Sequence, residues 1–90
     1  MIVKIVSVTT PDGTPRADDK YPVRIGSTFE VAQMQIGRRM QLDYISDNKG
    51  RHMIGTLETS TVQAIEHEAD GTIKVTTRNS VYYLERRENT

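Results

Sequence analysis

Two serines ahead of apolar runs, two histidines, an acidic pair and a scatter of arginines are the side chains of this 90-residue chain whose type and spacing could support chemistry. Ser60 in "TSTVQAIE" and Ser80 in "RNSVYYLE" repeat a hydroxyl-then-apolar step. A nucleophilic serine needs a positioned base and an oxyanion hole, and neither a Gly-x-Ser-x-Gly elbow nor a Ser-x-x-Lys pair is present. Both serines therefore read as punctuation, a cap or bulge at Thr59-Ser60 and a tight turn at Asn79-Ser80. His67 lies in "EHE", where strand alternation sends Glu66 and Glu68 to one face and the imidazole to the other, so the three cannot share a metal. His52 has no carboxylate or second histidine at ligand spacing. Asp18-Asp19 lacks the spacing of a calcium loop. With no phosphate loop, no dinucleotide fingerprint and no His-Glu-x-x-His, the reading is non-enzymatic, with no cofactor and no metal.

The more informative set is basic. Arg38, Arg39, Lys49, Arg51 and His52 fall within a short span, and a hairpin pairing residues 38 to 46 with 51 to 57 across a 47-to-50 turn would gather them on one surface. Tyr82 and Tyr83 must point to opposite faces of a strand, one into the core with Leu84 and one outward. The expected binding surface is Arg38, Arg39, Arg51, His52 and Tyr83, because arginine forks and tyrosine rings are the residue types that anchor interfaces. The competing reading makes these arginines solvated charges paired with Asp43, Asp47 or Glu58. Twelve basic and twelve acidic side chains cancel, so no global field draws in nucleic acid or an anionic membrane.

The elements that must position these residues are short. "IVKIVSV" (2 to 8) is β-branched on both alternating faces, the mark of a central strand covered from two sides. "TTPDGTPRADDKYP" gathers all three prolines into the longest loop. Alternation of Phe29/Val31 and of Met40/Leu42/Tyr44 predicts strands near 28 to 34 and 38 to 46, with a helix over 28 to 42 as the competing assignment. "SDNKG" predicts a hairpin loop leading to a strand through Met53 and Leu57. Asp70-Gly71 in "EADGT" predicts a type I′ hairpin. Val62 and Ile65 lie three apart, so a helical turn or a bulge must intervene if both face the core. "VYYLER" is the last strand. Turns at roughly ten-residue spacing suit a small all-β domain, a partly open barrel or SH3-like sandwich of five to seven strands with at most one short helical turn.

Ninety residues fit one domain, 1 to 90. The absence of cysteine favours a reducing, cytoplasmic setting, and the apolar N-terminus is too short for a signal region or a membrane span. The run Thr59, Ser60, Val62, Ile65, Thr77, Asn79, Ser80, Tyr82 and Leu84 resembles short β-rich proteins of bacteriophages and integrated elements of Gram-positive bacteria. That resemblance implies a shared β architecture and a phage or mobile-element origin. It suggests a binding module for a host protein, including an inhibitor of a defence nuclease. The alternative is a small barrel that binds single-stranded nucleic acid. Self-association through an edge strand is a further expectation.

Overall fold

The computed structural model describes residues 1 to 16 and 24 to 87; the Asp18-Asp19 pair lies outside them. Six strands follow in chain order: β1 (Ile2–Thr9), β2 (Thr28–Gln33), β3 (Arg39–Ser46), β4 (Thr56–His67), β5 (Thr72–Thr77) and β6 (Val81–Arg86). Each pairs antiparallel with its neighbours in sequence, and β6 returns to β1, so the sheet closes into a barrel. The expected small β-barrel is therefore the fold, and β2 and β3 replace the competing helix over 28 to 42.

Alternation explains the interior. Val3, Ile5, Phe29, Met40, Leu42, Val75 and Leu84 are fully buried, as their positions facing the barrel axis demand. Each such side chain contributes about 1.5–3 kcal/mol by leaving water. Phe29 and Tyr44 stack at a centroid distance of 4.4 Å, tilted by 49°. Burial accordingly raises the Tyr44 phenol above its ordinary pKa, against a smaller opposing effect of Arg24. Tyr82 is buried beside Leu84 and Tyr83 is turned outward, as the alternation requires.

Several local expectations are corrected. β1 is not a central strand, because a closed ring has no centre and no edge. It is the strand that closes the barrel, pairing with β2 over Ile2–Lys4 and with β6 along its whole length. A bulge at Val6, between the Ile5 and Ser7 pairs, shifts the alternation, and this is why both halves of the strand looked apolar. Among the described residues every strand has a neighbour on each side, so the barrel displays no free edge strand there. At "TSTVQAIE" a bulge intervenes, and no helical turn: Val62 pairs with Thr77 but Ala64 with Thr76. The extra residue lets Val62 bury itself while Ile65 also packs on the core.

The turns correct one assignment and refine another. Gly71 has φ +91°, yet no non-glycine among the described residues has positive φ, so the Asp70-Gly71 turn is not type I′. The Glu68 amide bonds the Thr72 carbonyl at 2.8 Å and the Gly71 amide bonds the Glu68 carbonyl at 3.2 Å. This is a three-residue loop ending in a left-handed glycine. The "SDNKG" turn is built in the same way around Gly50, with Asp47 N to Arg51 O at 2.8 Å and Gly50 N to Asp47 O at 3.0 Å. Beyond it the chain does not enter a strand at Arg51 as expected. Ser46 bridges His52, Met53 bonds Ile45, and Gly55 bonds Tyr44, but β4 begins only at Thr56. Ile54 stands between these anchors and is 86% exposed.

Candidate functional site

The five residues expected to form one binding surface lie in three places. Arg39 opens β3 and pairs with Thr61, whereas Arg51 and His52 follow the turn at the other end of that strand, where His52 bridges Ser46. An eight-residue strand at about 3.3 Å per residue sets these groups roughly 23 Å apart. The reason is simple hairpin geometry. Residues just past a turn meet those just before it, so Arg51 could only meet the end of β3. Tyr83 is on β6, three strands away around the ring, between Lys74 and Ser7. A single patch of Arg38, Arg39, Arg51, His52 and Tyr83 is therefore not assembled.

At the Arg51 site the basic charge is answered locally. Arg51 Nε lies 3.3 Å from Asp47 Oδ2, and the Arg51 and Lys49 amides both donate to Asp47 Oδ1 at 2.9 Å. Those amides, Arg51 first, hold the Asp47 carboxyl below the usual carboxylate range. Beside this turn runs an open groove of about 400 Å³ lined by residues that include Ile2, Lys4, Ile45, Asp47 and Arg87. Arg87 is paired with Glu85 at 3.2 Å. The groove mixes both signs of charge with apolar walls and selects no one ligand chemistry.

Arg38 and Arg39 sit in a different setting. The middle of β4 is bonded on both sides by turns that carry arginine. On one side Gly37 donates to Val62 O at 2.9 Å, and Val62 donates to Arg38 O at 2.8 Å. On the other, Arg78 donates to Thr61 O at 3.0 Å, and the Asn79 amide donates to Ser60 Oγ at 3.1 Å. Arg16 then reaches from the β1–β2 loop, donating through Nε to Ser80 Oγ at 3.0 Å and through Nη2 to Asn79 O at 2.5 Å. Four arginines, 16, 38, 39 and 78, thus stand on segments bonded in series across Ser60–Val62. Among the described residues one carboxylate is drawn in. Glu58 accepts from Gln41 at 2.9 Å and from Arg39 at 3.1 Å, and these two donors, Gln41 first, lower its pKa.

The serines hold this band in shape. Ser60 Oγ receives the Asn79 amide, while buried Ser80 receives Arg16 and is locked to Thr77: the Thr77 hydroxyl donates to Ser80 O at 3.0 Å and accepts the Ser80 amide at 3.1 Å. Both serines thus take part in holding turns against β4. Thr59 caps no helical turn; it lies in the bulge of β4 opposite Met40 and accepts the Met40 amide at 3.2 Å. His67 is exposed on β4, and its neighbour Glu66 pairs with Lys74 at 3.7 Å. No group of three potential metal ligands occurs among the described residues.

Sequence reasoning missed Arg16 and Arg78. Arg78 was readable as part of a turn, but only the long, bulged β4 brings that turn beside Arg38. Nothing local in "TPRAD" marks Arg16.

No family model, no curated protein and no solved structure matches the chain.

Proposed function

We propose that this chain is a non-enzymatic binding module whose partner is a protein. The observation that carries the reading is a preformed arginine band on a rigid barrel that lacks a set of stacking rings. Single-stranded nucleic acid is held by a basic groove together with successive exposed aromatics. Among the described residues Tyr82 is buried and Tyr44 is stacked on Phe29, leaving Tyr83 alone on a distant strand. Guanidinium groups on a fixed scaffold instead suit bidentate pairing with carboxylates of a protein surface. Exposed Ile36 beside the band adds an apolar contact.

The phage or mobile-element origin implied by the sequence resemblance makes a cytoplasmic host protein the natural partner class. A defence nuclease fits that class, with one physical condition. A basic band cannot imitate DNA, so an inhibitor of this kind would act away from the nuclease's own DNA-binding surface. The band also favours a second reading, binding to nucleic-acid phosphates, for which the net neutral charge is a poor long-range attractant.

Affinity capture from a bacterial lysate, with and without nuclease treatment, tests the choice. A protein retained after nuclease digestion supports the module reading. Loss of every partner on digestion transfers the function to nucleic acid.

A further inference from the structure

The arginine band can be assigned a ligand chemistry more specific than a protein surface. We infer that the band formed by Arg16, Arg38, Arg39 and Arg78 across Ser60–Val62 docks an acidic segment of the protein partner, with Ile36 meeting an apolar side chain of that segment. This rests on the reading of the chain as a protein-binding module.

Charge distribution is the first support. The whole chain is neutral, yet the segments that carry these four arginines hold, among the described residues, one paired carboxylate, Glu58 on Arg39, while Glu66, Glu68 and Asp70 are carried away on the β4–β5 hairpin. Pre-organisation is the second. Arg16 is tied to Asn79 and Ser80, and Arg39 to Glu58, so part of the ordering cost of a charged contact is already met in the free protein. Availability is the third. Arg38 and Arg78 are exposed, and no ion pair among the described residues engages either. Ile36, 65% exposed, sits in the turn whose Gly37 is bonded to Val62, so it is displayed on a fixed backbone. Carboxylates opposite the arginines and an aliphatic side chain opposite Ile36 are the complement of that surface.

The test is fluorescence anisotropy with two labelled probes, a Glu-rich peptide with interspersed Leu and a single-stranded oligothymidylate. The parent protein should bind the peptide, with affinity falling as salt rises. Arg38→Glu with Arg78→Glu should weaken it by at least about tenfold, the scale of losing two charge-assisted contacts. Lys49→Glu with Arg51→Glu, at the other end of β3, should leave it unchanged. A circular dichroism melt checks that the reversed protein folds, and Arg38→Ala with Arg78→Ala repeats the test without introduced acids. Failure of the parent to bind the peptide, equal binding by both reversed proteins, or binding of the oligothymidylate in its place would each overturn the assignment. A captured protein partner that still binds the Arg38/Arg78 variant would overturn this site alone, leaving the module reading intact.

Discussion

β3 carries arginine at both of its ends, and the two ends have opposite fates. After β3, Arg51 meets the carboxylate of its own turn, Asp47, and its charge is cancelled within four residues of chain. At the start of β3, Arg38 and Arg39 are joined across β4 by Arg78 and Arg16 from turns far away in sequence. Local sequence neutralises charge, whereas topology concentrates it. The difference depends on β4, which is long enough to pair with β3 through its first half and with β5 through its second, and whose bulge turns it between them.

Thr77→Val should give the largest stability effect of the substitutions that separate the two ends. It removes the hydroxyl that accepts the buried Ser80 amide and should cost about 1–3 kcal/mol in a denaturant titration. Because Ser80 anchors Arg16, the same change should weaken binding of the acidic peptide. Gly50→Val comes next. Its left-handed backbone, φ +79°, would cost a branched residue about 1–2 kcal/mol. Peptide affinity should stay the same, because this turn lies at the other end of β3. Equal binding losses in the two variants would erase the distinction between the ends.

Smaller changes sharpen the comparison. Glu58→Gln keeps a hydrogen-bonding side chain but removes the acid paired with Arg39, and should raise peptide affinity by about two- to threefold, the scale of one screened surface charge. Asp47→Asn should leave affinity unchanged. The smallest effect is on acid stability. Asp47, Asp70 and Glu58 have lowered pKa values, and Asp12, held chiefly by the Thr10 hydroxyl and then by the Thr14 amide, lies at about 2. Carboxyls depressed in the folded state stabilise it above their unfolded pKa of about 4 and lose that contribution as pH falls through the folded values. Thermal midpoints should therefore be flat from neutrality to about pH 5 and decline progressively toward pH 2, with Asp12→Asn flattening the most acidic part of the curve.

The barrel was legible because its strands alternate. Phe29/Val31 and Met40/Leu42 place β2 and β3, and the glycine turns place their ends. Bulges were harder to read. Val6 made β1 look apolar on both faces, and the step between Val62 and Ile65 left a helical turn open as an alternative. The candidate band was half legible: Arg38 and Arg39 belong to it, whereas Arg51, His52 and Tyr83, expected on the same surface, lie elsewhere. Spacing along the chain measures contacts across one turn. The pairing of Arg78 with Thr61 depends on the register of β4 against β5, which no local pattern encodes.

The most direct measurement is an amide chemical-shift titration of the isotopically labelled protein with the acidic peptide. The band predicts that the shifts cluster at Ile36–Arg39, Ser60–Val62 and Arg78–Ser80, while the amides of Asp47–His52 remain still. Shifts centred on Asp47–His52 or on the groove beside Lys4, with the middle of β4 unmoved, would contradict it.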